Sequence, residues 1–158
     1  MVAISVRAPT ETIVVGVDGS EGGAAALEFA AGEAAFRGAR LRIVSAWQVP
    51  VVASGDVDFA PPPVPATWDA FQVRAQRVAD DAFAAVKTMH PSLEGEPLAA
   101  EGQPADVLLE QGTDAALLVV GRRGLGGFRS LLLGSVSQQV VHHATCPVVV
   151  VNQPAPGS

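Results

Sequence analysis

Along the chain, runs that are apolar at nearly every position alternate with stretches whose apolar residues recur at spacings of three and four. The first continuous run is TIVVGV at 12–17, rich in β-branched residues. Such a run suits a strand buried on both faces. The following segment carries Leu27, Ala30, Ala31 and Ala34 at helical spacing, with Ser20 placed to cap its start and Gly38 to end it. RLRIVSAW at 40–47 predicts a second strand, and 48–66 a mobile loop whose stiffest part is APPPVPA. A long helix is expected from Trp68 to Met89, on a stripe of Phe71, Ala75, Val78, Ala82, Ala85 and Met89. EPLAAEG is a weak third strand. Pro104 suits the first turn of a short helix and Gly112 its end. AALLVVG at 115–121 is a fourth strand. SVSQQVVHHA is a last helix, with Val136, Val140, Val141 and Ala144 on one side, and PVVVV at 147–151 is a fifth strand. Residues 152–158 read as a frayed tail.

Strand and helix alternate throughout, so a single doubly wound α/β domain is expected over 1–158, with a core of about 11–152. Its sheet is parallel, with helices on both faces. Sheets of this kind take ligands beyond the carboxyl ends of their strands, where the winding reverses. The loops to inspect therefore follow strands one and four: GVDGSEGG and GRRGLGGFRSLLLGSVS.

The second loop has a readable spacing. Gly121 is followed by two residues, Gly124, nine residues, and then Gly134 and Ser135. Glycines of this kind supply positive φ or let a backbone approach an anion closely. Gly134 and Ser135 open the last helix, whose first amides carry partial positive charge and suit a phosphate. Ser135 and Ser137 add hydroxyls, and Arg122, Arg123 and Arg129 add positive charge. The loop is no Walker A, because no Gly-Lys-Ser/Thr follows at the required offset. It is no GxGxxG, because Arg129 stands where the third glycine belongs.

Composition narrows the function classes. A net charge of −6 and a pI near 4.9 argue against general nucleic-acid or anionic-membrane binding. The longest apolar runs are too short to cross a bilayer, and MVAISVRAPTE has no basic region before an apolar core. A single cysteine, Cys146, excludes an internal disulfide and fits a cytoplasmic location.

From IVVGVDGS to CPVVVV the sequence resembles the universal stress proteins, and its loop is similar to the Gly-x2-Gly-x9-Gly-Ser/Thr signature of their ATP-binding branch. The resemblance implies a five-stranded sheet of order 3-2-1-4-5, an ATP site between strands one and four, and a homodimer through the fifth strand, 147–151. It places Asp18 on the ribose hydroxyls, and Val17 and Ala46 beside the base through their main chains. It places Val120 and Gly121 at the ribose and α-phosphate, and Gly124, Gly134, Ser135, Val136 and Ser137 in the phosphate cradle. Arg123 joins these candidates for its charge, although the resemblance gives neither Arg122 nor Arg123 a role. Gly16 stands where many relatives carry proline, which predicts a looser wall near the base.

Each assignment has a plainer competitor. Asp18 can simply hold its loop or cap the first helix. Gly121 and Gly124 can be turn residues, and the arginines solvated surface charges. The adjacent His142 and His143 point to different sides of a helix and cannot face one ion together, and His142 with Cys146, four apart, has no third ligand at hand as the helix ends before Pro147, so no metal site is expected. Cys146 is expected to be a small packed residue, and PPPVP a stiff loop edge before it is a ligand for another domain. No nucleophile elbow, HExxH or Cys-His pairing is present, so no dedicated catalysis is expected. The expectation is a cytoplasmic ATP-binding sensor or adaptor with an unknown protein partner, its Mg²⁺ held through the phosphates. The alternatives are a slow ATPase or phosphotransfer enzyme, and an interaction module that binds cyclic AMP or no nucleotide.

Overall fold

The computed structural model describes residues 11–49, 68–124 and 132–153. Arg129, the PPPVP run, most of the 48–66 loop and the tail from 154 onward lie outside the described residues. Within them, β1 (Thr12–Gly16), α1 (Glu21–Arg37), β2 (Arg40–Trp47), α2 (Trp68–Met89), β3 (Gly95–Glu101), α3 (Pro104–Gln111), β4 (Leu117–Gly121), α4 (Ser135–His143) and β5 (Val148–Val151) follow one another in strict alternation. The five strands form one parallel sheet of order β3-β2-β1-β4-β5, as expected. The winding reverses between β1 and β4, where Ile13 pairs with Leu117 and Val15 with Val119.

The unbroken apolar runs have a simple cause, because successive side chains point to opposite, equally buried faces. Ile13, Val15, Leu41, Ile43, Leu117 and Val119 pack with α1 and α2. Val14, Val44, Leu118 and Val120 pack with Val107 and Leu108 of α3 and Val140 of α4. Ile13, Val14 and Val15 are fully buried, and burying each such side chain contributes about 1.5–3 kcal/mol. α1 lies close on the sheet because Ala26, Ala30, Ala31 and Ala34 give it an inner face of methyl groups, all fully buried. It starts at Ser20, whose side chain accepts from Gly23 N, and stops at Gly38, whose φ of 65° suits glycine.

Two expected helix faces differ from the structure. On α2 the buried positions are Ala75, Ala79 and Val86, with Val78, Ala82 and Phe83 packed beside them, while Phe71, Ala85 and Met89 are exposed. The true stripe is rotated because alanine carries too weak a periodic signal to fix a face. On α4, Val140 is buried but Val141 is exposed. α1 also carries an exposed Phe36 on its outer face.

Candidate nucleotide site

A cavity of about 200 Å³ opens at the β1–β4 reversal. Val17, Asp18, Ala46, Val120, Gly121, Arg123, Gly124, Gly134, Ser135, Val136 and Ser137 all line it. Gly16, expected at the wall near the base, lines it too, and sequence reasoning missed the other lining residues: Ser20, Gly23, Val44, Pro104 and Leu108. Val44 was within reach, since it lies two residues before Ala46 on the same strand face. Pro104 and Leu108, one helical turn apart on α3, wall the apolar half. Nothing in the winding rule pointed to them, because it singles out the loops after β1 and β4.

Gly16 belongs to this wall, and the looser fit expected there is not found. A Cβ built at Gly16 would come within 2.8 Å of a Leu108 δ-carbon. Leu108 thus fills the space that a larger residue would take.

Among the described residues three helix heads border the cavity; α3 enters it with Pro104 and no side-chain cap, and the heads of α1 and α4 are finished differently from each other. At α1, Asp18 Oδ1 accepts from Ser20 N at 2.9 Å and from Ser20 Oγ at 2.5 Å. Ser20 Oγ in turn accepts from Gly23 N at 3.1 Å. Gly19, with φ 83°, makes the intervening turn. The plainer role considered for Asp18, holding its loop, is therefore present. At α4 the N-cap is Gly134 in extended backbone, and among the described residues no side chain caps it. Ser135 is exposed there, and the first-turn amides border the cavity.

The signature glycines have causes in packing. None of Gly121, Gly124 and Gly134 has positive φ. A Cβ at Gly121 would lie 2.6 Å from Gly22 O and 2.7 Å from Gly22 C, so Gly121 lets the first turn of α1 rest on the end of β4. A Cβ at Gly124 would lie 2.5 Å from Asp18 Oδ2, so the bare backbone there makes room for the carboxylate. Gly134 is less crowded, with its nearest neighbours in Arg122 and Arg123 at 3.4 Å.

The arginines separate as well. Arg123 lines the cavity, whereas Arg122 does not. Arg122 Nε donates to Leu132 O at 2.5 Å, and its carbonyl accepts from Gly134 N and Ser137 Oγ, each at 2.8 Å. Ser137 is 2% exposed, and its hydroxyl lies also 3.1 Å from Gly134 O. That hydroxyl hydrogen is therefore directed at main-chain carbonyls.

Away from the cavity, the His142 and His143 rings sit with centroids 6.4 Å apart. Among the described residues no cluster of three or more His, Cys, Asp or Glu could hold a metal. Cys146 packs with the α3–α4 face of the sheet, and burial pushes its thiol pKa up. Among the described residues no helix is long and apolar enough to cross a membrane.

A doubly wound parallel sheet with a cavity at its reversal, bordered by the capped head of α1 and the uncapped heads of α3 and α4, defines the class: an α/β fold of the kind that takes ligands at that point. The chain belongs to the universal stress protein family, whose family model matches residues 9–152. A universal stress protein of Mycolicibacterium smegmatis is 34% identical over 139 residues, covering 88% of this chain and 45% of that protein. The chain thus spans about half the length of the curated relatives it matches. Among solved structures, a universal stress protein in complex with cAMP is 26% identical with TM-score 0.67, covering 92% of this chain and 98% of that one. A family protein from Burkholderia pseudomallei is 28% identical with TM-score 0.64, covering 89% and 95%.

Proposed function

We propose that the cavity binds ATP and that the chain, a single cytoplasmic unit, acts as a nucleotide-gated sensor or adaptor in stress response. The observation that carries this reading is the uncapped head of α4 at the cavity rim, beside Arg123 and opposite an α1 head capped by Ser20. Free first-turn amides and the helix dipole attract phosphate. In this reading the base lies in the apolar half between Ala46, Val17 and Leu108, and Asp18 meets the ribose hydroxyls. Val120 and Gly121 flank the ribose and α-phosphate. Gly124, Gly134, Ser135 and Val136 cradle the remaining phosphates with Arg123, and Ser137 contributes through its main chain. Mg²⁺ is held by phosphate oxygens and water.

Asp18 is the only carboxylate among the described cavity residues, and it serves the α1 turn. The described cavity residues therefore supply binding groups without a set for phosphoryl transfer. Binding alters partner affinity only through two states of different ligand affinity, and the partner is a further protein. β5 is a row of four half-buried valines whose described neighbour is β4 alone. An apolar edge of this kind favours pairing with a second copy, which makes the expected homodimer.

A second reading is cyclic AMP. A volume of about 200 Å³ lies below the roughly 300–1,000 Å³ usual for small-molecule pockets, which favours a compact monophosphate. The similar structure in complex with cAMP points the same way. Acid extraction of the purified protein, followed by chromatography, separates the readings. ATP without turnover supports the sensor, accumulating ADP the enzyme and cyclic AMP the second reading. A protein that carries no nucleotide and shows no thermal shift with either compound contradicts both ligand readings.

A further inference from the structure

We infer that Arg122 is a positioning residue that buckles the glycine loop and so sets the head of α4 for phosphate, while its own charge stays away from the ligand. Three contacts carry this. Its main-chain N–H donates to Val151 O at 2.9 Å, tying the loop base to the end of β5. Its carbonyl receives Gly134 N and the buried Ser137 hydroxyl, each at 2.8 Å, tying the base to the first turn of α4. Its guanidinium Nε reaches Leu132 O at 2.5 Å, two residues before Gly134. One residue therefore joins the loop's exit from β4 to its entry into α4, through both main chain and side chain. Arg123, next in sequence, is the arginine that lines the cavity among the described residues.

Ser137 belongs to this buckle. A hydroxyl that donates to the Arg122 carbonyl from a 2%-exposed residue serves to hold the loop base. The α4 amides keep their aim only while the buckle holds, because an uncapped helix end has no side chain of its own to fix the entry angle. The Val151 contact extends the consequence, since a shift at Arg122 is passed to the edge strand.

The inference rests on phosphate binding at α4, and its test separates the two. ATP and adenosine are titrated calorimetrically into the full chain and into Arg122→Ala and Arg122→Gln. Gln keeps an N–H donor for the Leu132 carbonyl and removes the charge. Arg122→Ala is expected to weaken ATP by about tenfold and adenosine by less than about twofold, and Arg122→Gln to keep most of the ATP affinity. If Gln loses as much as Ala, the guanidinium is a phosphate ligand and the inference falls. If ATP and adenosine weaken together, or Ala changes nothing, it falls too. Hydrogen exchange at the Gly134 amide reads the buckle with no ligand present: faster exchange in Arg122→Ala is required. Unchanged exchange overturns the buckle, whereas failure of the unmodified chain to prefer ATP over adenosine overturns the phosphate site itself.

Discussion

The heads of α1 and α4 border the same cavity and end in opposite ways. α1 is preceded by Asp18, which accepts from Ser20, and by Ser20, whose hydroxyl caps the first turn at Gly23 N. α4 begins with Gly134 and Ser135, and its first turn faces the cavity with no side-chain cap. A cap is worth about 1 kcal/mol to a helix, so a head left open forgoes stability that its counterpart takes. The difference teaches how the two ends divide the work in the proposed reading: the α1 head spends a donor on its own cap, and the α4 head keeps its first-turn amides for phosphate. The entry to α4 is tied instead at Gly134 N, which donates to the Arg122 carbonyl, and the helix is anchored further along by the buried Val140.

Substitutions at the two heads should separate stability from binding. The largest effect is expected at Gly121→Ala, where the new Cβ meets the Gly22 backbone, which cannot swing aside as a side chain would. Overpacking of this kind costs about 1–3 kcal/mol, and thermal unfolding should fall by several degrees. Ser135→Ala should leave the unfolding temperature nearly unchanged and weaken ATP by about tenfold, as loss of a hydrogen bond to a charged group does. Equal loss of adenosine affinity would show that Ser135 acts on the fold of the cavity. Ser20→Ala should do the reverse, costing about 1 kcal/mol in denaturant unfolding while ATP affinity changes by less than about twofold. Gly124→Ala should cost about 1 kcal/mol in denaturant unfolding, because its Cβ crowds Asp18 Oδ2 while Oδ1 holds Ser20 at the α1 turn. Its mark should be a loss of adenosine as well as ATP affinity, since Asp18 is then displaced from the place proposed for the ribose.

Much of the fold was legible because local signals agreed with tertiary ones. The runs TIVVG and LLVVG read as doubly buried strands, and Ser20, Gly38 and Pro104 marked helix ends where the structure has them. The α2 face was misread because Phe71, Ala85 and Met89 fit a helical period as well as the buried Ala75, Ala79 and Val86 do. The candidate residues gather on one cavity because the reversal of winding brings the ends of β1, β2 and β4 together with the head of α4. Reasons for individual residues were less legible. Gly121 is small because Gly22, about a hundred positions earlier, rests on it. Arg122 and Arg123 are identical in sequence terms, yet one folds back on Leu132 and the other lines the cavity. Gly16 is no gap, because Leu108 from α3 fills it. Contacts between residues this far apart in the chain leave no periodic trace.

The central claim is that the open head of α4 holds phosphate. Calorimetric titration of the intact chain with adenosine, AMP, ADP and ATP at fixed salt tests it most directly. Affinity should rise from adenosine to AMP and again toward ATP, and the rise should shrink as ionic strength increases. Equal affinity for adenosine and ATP, or no binding of either, would contradict it.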